Sequence, residues 1–421
     1  MRRRVVGWAG RLAVVGLGML MVGCQMESGT GPGPASGAGA KAGAAGECGA
    51  VDVFVSGQDG YDTFRIPAVV AVKEPGTGRA VLVAFAEGRR LGKADHGDVD
   101  VVRRRSYDGG CTWSELRPVA DAGPDTLGNP APVAVGDDGR LVLLTSRNGG
   151  DATESAIMTG RVAERDGRRV FVQSSTDAGT TWSAPREITA QVKRTDWRWY
   201  ATGPGHGVEL TAGPHTGRLV VGANHSVAPA DGSTDTGAEP RHYAGHSLLS
   251  DDGGETWRIG YVDPAGDGTH HVNETAVAQL PDGTVYFNAR DQKGSAPGNR
   301  VHAWSRDGGA TLAAPFDAVA SITAPAVQGS LLQTVGAGAG APLLMAAPAD
   351  PGDRASMTVR ASADGGATWS AGHRLSDAKA AYSDLVQLDG EHVGILYETG
   401  RATAYETIRF TPLPLTSLTT R

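Results

Sequence analysis

The stretch Ser106-Tyr107-Asp108-Gly109-Gly110-Cys111-Thr112-Trp113 decides the fold, because its pattern Ser-x-Asp-x-Gly-x-Thr-Trp is repeated along the chain. Three more complete copies are present, and a further copy ends in Leu where the others have Trp. In chain order these copies span residues 175–182, 250–257, 305–312 and 362–369. Successive copies start 69, 75, 55 and 57 residues apart. Such regular spacing indicates one supersecondary unit that is used several times.

Each copy, which we call an Asp box, has the chemistry of a tight turn. It follows a β-rich run, such as residues 99–105 or 357–360, and precedes another short strand. The Asp side chain can cap the turn, Gly allows a positive φ, and Trp covers the bend. Further turn signals, such as Asp389-Gly390, lie between other alternating runs. Each unit is therefore predicted to be a small antiparallel sheet of about four strands.

The length of the chain sets the number of units. Roughly 370 residues follow position 47, and a repeat of about 60 residues divides them into about six units. A ring of such sheets leaves few exposed strand edges. We therefore expect an all-β fold, a six-bladed β-propeller of four-stranded antiparallel sheets. The Asp residues of the boxes are expected to serve the turns, so function must come from other segments.

Composition excludes several classes of protein. The 421 residues include 39 Lys and Arg against 46 Asp and Glu, a formal net charge of -7, which argues against a broad nucleic-acid surface. The 61 Gly follow no strict three-residue period, which excludes collagen, and together with 23 Pro they are too frequent for a coiled coil. The sequence lacks Gly-x-Ser-x-Gly, Gly-x-Gly-x-x-Gly and Gly-x-x-x-x-Gly-Lys motifs, so serine hydrolase, dinucleotide-binding and P-loop functions lose their usual support.

The first 23 residues are predicted to be an export signal. Three consecutive arginines follow Met1, and residues 12–22 form an apolar run that is too short for a comfortable membrane span. The run ends in Met21-Val22-Gly23-Cys24, which resembles a bacterial lipobox and makes Cys24 a candidate for lipid attachment. We therefore expect an exported protein, either secreted or anchored to the outer face of the cell membrane as a lipoprotein.

Residues 24–47 are almost entirely Gly, Ala, Ser and Pro and are predicted to be a flexible linker. The catalytic or binding domain is expected to span residues 48–421. Export implies an oxidising environment, in which Cys48 and Cys111 are candidates for a disulfide, with two free thiols as the alternative.

The segments between the Asp boxes do not repeat, and they carry a resemblance to a known family. They include Phe64-Arg65-Ile66-Pro67, Asp95-His96-Gly97-Asp98, Asn273-Glu274, Asn288-Ala289-Arg290, Tyr382-Ser383-Asp384 and Leu396-Tyr397-Glu398. With these motifs in this order, the chain resembles the bacterial exo-α-sialidases from about residue 50 to its end. Asp boxes also occur in propellers without catalytic activity, so the joint occurrence of the other motifs carries the resemblance.

The resemblance implies that three arginines hold the carboxylate of a sialic acid, at positions Arg65, Arg290 and Arg354. Guanidinium groups suit this task because they pair with a carboxylate bidentately and keep their charge. Arg354 lies in a segment with little motif of its own, and Arg360 is the competing candidate.

The resemblance also implies the catalytic residues. Tyr382 matches the nucleophile and Glu274 its base; a neutral phenol avoids the repulsion that an attacking carboxylate would meet at the substrate's own carboxylate. The arginines are expected to favour the phenolate. Asp95 matches the general acid that later activates water, with Asp98 and Asp100 as nearby alternatives.

Further residues match positions around the family's pocket. Glu398 resembles the carboxylate that orients the first arginine, and Arg89 and Asn129 fall at substrate-binding positions. Trp199 and Tyr200 are candidates for stacking on the sugar, with a core or rim position as the alternative.

The expected function is hydrolysis of terminal α-linked sialic acids on glycoproteins, glycolipids or oligosaccharides, with net retention through a covalent tyrosyl-enzyme. No cofactor, metal or nucleic acid is expected to take part, and the protein is expected to be a monomer that reaches the membrane only through a lipid anchor. One alternative is a non-catalytic Asp-box propeller that binds anionic glycans. Another keeps the fold but transfers sialic acid or releases an anhydro product. The preferred linkage and sialic acid variant are not indicated by the sequence.

Overall fold

The computed structural model describes residues 48–265, 269–336 and 341–419. The predicted export signal (1–23), Cys24 and the linker (24–47) lie outside these residues. Within them, no helix is both long enough and apolar enough to cross a membrane.

Strands are the main regular elements of the described residues. The strands are β1 (Val51–Val55), β2 (Thr63–Lys73), β3 (Ala80–Arg89), β4 (Val99–Ser106), β5 (Arg117–Ala120), β6 (Thr126–Val135), β7 (Arg140–Asn148), β8 (Arg169–Ser175), β9 (Arg186–Glu187), β10 (Trp197–Thr202), β11 (Val208–Glu209), β12 (Leu219–Val227), β13 (Tyr243–Ser250), β14 (Arg258–Val262), β15 (Val272–Gln279), β16 (Val285–Asp291), β17 (Arg300–Ser305), β18 (Asp317–Ala318), β19 (Ser330–Gln333), β20 (Leu343–Pro348), β21 (Met357–Ser362), β22 (His373–Arg374), β23 (Lys379–Gln387), β24 (His392–Gly400) and β25 (Thr407–Pro414).

The helices are short. They are α1 (Glu154–Met158), α2 (Thr189–Val192) and α3 (Leu415–Thr419), with single 3-10 turns at Glu164–Asp166 and Pro240–His242.

Hydrogen bonding groups the strands into five sheets. Three sheets have four strands, in the orders β1-β25-β24-β23, β15-β16-β17-β18 and β19-β20-β21-β22. A fourth sheet, β10-β12-β13-β14, gains a fifth strand because β11 also pairs with β12. The remaining sheet has eight strands, which are β2, β3, β4 and β5 followed by β6, β7, β8 and β9.

The sheets are arranged as an all-β propeller. Six strands contact one another in the order β2, β6, β12, β15, β19 and β23, and β23 contacts β2 again. This closed circuit of inner strands is the arrangement that radial repetition of antiparallel sheets produces. The predicted fold class is therefore confirmed.

The predicted number of separate blades is wrong. Four sheets are separate blades of four or five strands, not six, and the other strands share the eight-stranded sheet. The physical reason is one parallel pair, Val99 with Thr126, which joins β4 to β6 where the strands run side by side. All the other pairs in that sheet are antiparallel.

The Asp boxes are turn structures. In the box at residues 250–257, Asp252 Oδ1 accepts the Thr256 N–H at 2.9 Å, and Ser250 Oγ accepts the Gly254 N–H at 2.8 Å. Trp257 Nε1 donates to the Gly254 carbonyl at 3.0 Å. The Ser, Asp and Thr contacts are the same in the other four boxes. These aspartates are therefore occupied at the turns, as the sequence predicted.

The hydrophobic core lies between neighbouring sheets. In one cluster, Val142 and Leu144 of the eight-stranded sheet pack with Val221 and Leu248 of the next sheet, and all four are buried. Burial of apolar side chains between sheets fixes the orientation of each inner strand. The inner strands in turn determine where the side chains of the candidate site lie.

The two ends of the described chain meet in one sheet. Strand β1 pairs with β25, with Val51 opposite Phe410 and Val55 opposite Thr407. Cys48 and Cys111 form a disulfide, with a Cα–Cα distance of 5.5 Å. Of the two alternatives left by the sequence, the structure therefore has the disulfide, which links the start of β1 to the first Asp box.

Candidate active site

A polar pocket of about 160 Å³ collects most of the residues that the sequence singled out. It is lined by Arg65, Arg89, Asp95, Asn129, Glu274, Arg290, Arg354 and Tyr382. These residues come from widely separated parts of the chain, and the inner strands bring them together. Glu398 is fully buried behind Arg65.

A buried carboxylate fixes the first arginine. Glu398 Oε1 accepts hydrogen bonds from Arg65 Nε and from the Ile66 N–H, both at 2.8 Å. Its other oxygen accepts the Tyr382 N–H at 3.2 Å. Ile66 has a φ of +57°, so the backbone bends directly after Arg65. One carboxylate therefore connects the strand of Arg65 to the strand of Tyr382.

The second and third arginines are held by different partners. Arg290 Nη1 lies 3.1 Å from Glu274 Oε2, so its charge is paired with a carboxylate. Arg354 Nη1 donates instead to the Tyr405 hydroxyl at 3.0 Å and Nη2 to the Ala326 carbonyl at 3.3 Å. Arg354 thus brings a positive charge into the pocket with no carboxylate among these contacts.

The competing candidate for the third arginine lies elsewhere. Arg360 is buried in β21 and donates to the Thr323 carbonyl at 3.3 Å. It does not line the pocket. Arg354 is therefore the arginine that the structure brings together with Arg65 and Arg290.

Tyr382 lies among the arginines with its hydroxyl on Glu274. The hydroxyl donates to Glu274 Oε1, and the guanidinium carbons of Arg65 and Arg354 lie 5.0 and 5.7 Å from the ring centroid. Burial and the charge of Glu274 raise the pKa of Tyr382 well above its ordinary value, although Arg290, Arg65 and Arg354 lower it. The arginines thus act in the expected direction, towards the phenolate, but burial and Glu274 outweigh their effect.

Asp95 is carried by the loop between β3 and β4 at the edge of the pocket. Its carboxylate lies 2.7 Å from Arg89 Nη1 and 3.7 Å from Arg65 Nη1, and its side chain is 63% exposed. Partial desolvation would raise the pKa of Asp95, but Arg89 and Arg65 outweigh it and hold the pKa below its ordinary value. Arg89 is itself fixed by Glu87, whose Oε2 accepts from Arg89 Nε at 3.0 Å.

The alternative acids do not reach the pocket. Asp100 is fully buried, accepts the Tyr61 hydroxyl at 2.6 Å and pairs with Arg90 at 2.7 Å. Asp98 pairs with the same arginine at 3.2 Å. Both carboxylates therefore belong to an ion-pair group beside the pocket, and Asp95 is the one that lines it.

Asn129 is part of the pocket wall, with a φ of +52°. Its backbone N–H donates to Glu87 Oε1 at 2.7 Å, and its side-chain oxygen accepts from Arg168 Nη1 at 3.1 Å. Asn129 thus connects the Arg89 and Glu87 pair, through its backbone, to a further cation, through its side chain.

Besides Glu87, two charged pocket residues escaped the sequence analysis. Arg168 lies 3.9 Å from the ring centroid of Trp199, and burial lowers its pKa to about 10. Glu154, on α1, accepts the Tyr243 hydroxyl, and burial raises its pKa. Neither residue belongs to a recognisable motif. Of the two aromatic candidates, Trp199 lines the pocket and Tyr200 is buried in the core.

Comparison with known proteins identifies the class of the domain. Residues 78–395 match the family model of the BNR repeat-like domain. The chain is 33% identical over 363 residues to an exo-alpha-sialidase of Aspergillus fumigatus, covering 81% of this chain and 79% of the relative. It is 30% identical over 375 residues to a sialidase of Micromonospora viridifaciens, covering 84% of this chain and 52% of the relative.

Comparison with solved structures identifies the same class of protein. The structure of a Hadza microbial sialidase, Hz136, superposes with a TM-score of 0.73 at 25% identity and covers 88% of this chain and 69% of its own. The chain belongs to the sialidase family of glycoside hydrolases.

Proposed function

We propose that this protein is a retaining exo-α-sialidase that hydrolyses terminal α-linked sialic acids from glycoproteins, glycolipids or oligosaccharides. The observation that carries the proposal is the contact of the Tyr382 hydroxyl with Glu274 beneath three arginines. A non-catalytic glycan-binding propeller would need the arginines, but it would not need a phenol and a carboxylate in hydrogen-bond contact.

The arginines account for recognition of the substrate. A sialic acid carries its carboxylate on the anomeric carbon, so holding the carboxylate also places that carbon. Arg65 and Arg290 are oriented by Glu398 and Glu274, and Arg354 is oriented by a neutral hydroxyl. Their orientation before binding lowers the entropy cost of holding the substrate.

The first chemical step forms the covalent intermediate. The Tyr382 oxygen attacks the anomeric carbon while its proton passes to Glu274, which removes the barrier set by the raised pKa of the phenol. The bond from the anomeric carbon to the leaving oxygen breaks, and Asp95 supplies the proton that this oxygen needs. The leaving sugar departs as a neutral alcohol.

The second step releases sialic acid. A water molecule attacks the anomeric carbon, Asp95 takes its proton, and the Tyr382 oxygen leaves and recovers its proton from Glu274. Two displacements at one carbon restore the original anomeric configuration.

Substrate binding also changes the pKa of the general acid, Asp95. In the unliganded protein Arg89 and Arg65 favour the ionised form of Asp95. A substrate carboxylate on Arg65 compensates part of that positive charge, so the pKa of Asp95 rises in the complex. We therefore propose that catalysis is favoured on the acidic side of neutrality.

The remaining organisation is proposed from the sequence. Residues 1–23 direct export, residues 24–47 act as a tether, and Cys24 carries the lipid if the protein is anchored at the cell surface. A closed ring needs no partner chain, so the protein acts as a monomer.

The test is release of 4-methylumbelliferone from its α-sialoside by the full-length protein and by Tyr382→Phe. Turnover should fall at least about a thousandfold in the variant, because the hydroxyl that attacks the anomeric carbon is removed. Tyr286→Phe removes a hydroxyl from a buried tyrosine outside the pocket and should turn over like the parent. Proton NMR should show the α-anomer of sialic acid first; inversion, an anhydro product or no turnover would contradict the proposal.

A further inference from the structure

An ion pair of a buried aspartate and a partly buried histidine lies next to the nucleophile, and the chemistry described above does not use it. Asp384 follows Tyr382 by two residues on β23, and its side chain is 1% exposed. Its Oδ1 lies 2.8 Å from His206 Nδ1. Its Oδ2 accepts the Val69 N–H at 2.9 Å and the His206 N–H at 3.1 Å. One carboxylate therefore receives donors from two other segments of the chain.

These segments carry parts of the candidate active site. Val69 lies on β2, four residues after Arg65. His206 ends the turn Gly203-Pro204-Gly205-His206 between β10 and β11. Asp384 therefore connects the strand of the first arginine to the strand of the nucleophile, as Glu398 does through other donors.

An amide completes the support of the nucleophile strand. Gln328 Oε1 accepts the Ser383 N–H at 3.1 Å, and Gln328 Nε2 donates to the Ser383 carbonyl at 3.0 Å. Each of the three consecutive residues 382–384 is thus fixed by another side chain. Glu398 holds Tyr382, and Gln328 holds Ser383. His206 holds Asp384.

Stability alone does not account for such a pair. The cost of removing two charges from water cancels much of their attraction, and a well-packed apolar pair would often be as stable. What a charged, multiply hydrogen-bonded pair supplies is a fixed geometry. We propose that Asp384 and His206 are positioning residues that hold the Tyr382 oxygen on Glu274 and keep Arg65 in register with it. This inference rests on the proposed sialidase function.

The pair should act only while His206 carries a proton. Burial would lower the pKa of His206, but Asp384 outweighs it and raises the pKa above its ordinary value. The neighbouring groups from other elements are the uncharged Val69 N–H and Gln328 amide, and Glu209, which shares a cavity with His206 and accepts the Gly136 N–H at 2.6 Å. The imidazolium is present below the raised pKa and is lost as the pH rises through it, so positioning should weaken on the alkaline side.

The test compares kcat, KM and pH profiles of the full-length parent, Asp384→Asn and His206→Gln on the fluorogenic α-sialoside. Asp384→Asn keeps an oxygen for the backbone donors and removes the charge. We expect kcat to fall about 100-fold, the scale of a 1 Å misplacement, while KM changes less than about threefold. In the parent, kcat should fall at alkaline pH as His206 loses its proton. This alkaline limb of the pH profile should be absent from both variants.

His302→Gln is the matched control, because His302 is buried but lies on β17 outside the pocket. It should keep the kcat and pH profile of the parent even if its melting temperature falls. If Asp384→Asn does not fold, His206→Gln decides the question, since it leaves the carboxylate and its backbone donors in place.

The outcomes separate the two proposals. Variants with a lower melting temperature but the kcat and alkaline limb of the parent would overturn the positioning role and leave the sialidase function intact. A folded parent that does not release 4-methylumbelliferone would instead contradict the proposed function, and the positioning role would fall with it.

Discussion

At the scale of single residues, the three arginines of the candidate site differ in the groups that pair with their charges. Arg65 and Arg290 each face a carboxylate, whereas Arg354 is held by a hydroxyl and a carbonyl. The charge of Arg354 is thus the least compensated of the three. It should contribute strongly to binding an anion, because hydrogen bonds between ionised groups are the strong ones.

We expect Arg354→Met to raise KM for the α-sialoside by about 10- to 100-fold, the equivalent of losing one charge-assisted hydrogen bond. Steady-state kinetics would measure this. Arg360→Met is the control, since Arg360 lies outside the pocket, and its KM should stay within about twofold of the parent. Equal KM values for both variants would remove Arg354 from the binding site.

Asp95→Asn should affect substrates according to their leaving groups. A sugar alcohol needs a proton to depart, so hydrolysis of sialyllactose should fall by about 100-fold or more. The methylumbelliferyl group leaves as a phenolate, so its release should fall by less than about tenfold in the first chemical step. Single-turnover assays on both substrates would measure the difference. The same loss on both would argue that Asp95 acts on the structure of the loop and not as an acid.

At the scale of single residues, the sequence predicted those site residues that stand in recognisable motifs. Arg65 and Tyr382 stand in recognisable segments, and the structure brings both to the pocket. Arg168 and Glu154 could not be predicted, because one precedes β8 and the other lies on the short helix α1. Each reaches the pocket only because its segment packs against parts of the chain that are distant in sequence. A tyrosine pKa could not be predicted either, because burial and Glu274 outweigh the cations only at the observed distances.

At the scale of structural elements, the Asp boxes are repeated devices for one kind of turn. Their side-chain contacts are local, so each can be predicted from eight residues. The joining of β4 to β6 could not be predicted, because a single parallel pair depends on how two separate turns end. Local chemistry thus predicted the turns correctly, and the grouping of sheets needed information from beyond each repeat.

Asp252→Ala should destabilise the protein by about 1–3 kcal/mol, since it removes a carboxylate that accepts from the N–H and the hydroxyl of Thr256. KM for the α-sialoside should not change, because Asp252 lies outside the pocket. Urea unfolding gives the stability and kinetics give KM. Glu255→Ala, an exposed neighbour in the same box, should change neither quantity. A large rise in KM for Asp252→Ala would contradict the purely structural role of the box.

At the scale of the whole molecule, the ring is closed by its two ends. The sheet that contains Tyr382 and Glu398 is completed by β1, the first strand of the described chain. The disulfide from Cys48 to Cys111 links the residues just before β1 to the first Asp box. Tyr382 and Glu398 therefore lie in a sheet that depends on a strand far from them in sequence.

Cys111→Ser should lower the free energy of unfolding by about 4 kcal/mol at most, because the disulfide closes a long loop in the unfolded chain. Urea unfolding with and without reductant would measure this, and reductant should destabilise the parent but not the variant. Cys24→Ser is the matched control and should respond to reductant like the parent. If reductant leaves the parent unchanged, the disulfide does not contribute to its stability.

The pairing of β1 with β25 has a further consequence for synthesis of the chain. Asp52 and Arg409, which are in contact across this pair, are 357 residues apart in the chain. The strand made first therefore has no partner until the strand made last is available. Until then the final sheet presents an open edge, which is a template for pairing with another molecule. Chains cut short before β25 should consequently self-associate, so degradation of incomplete chains would prevent their aggregation.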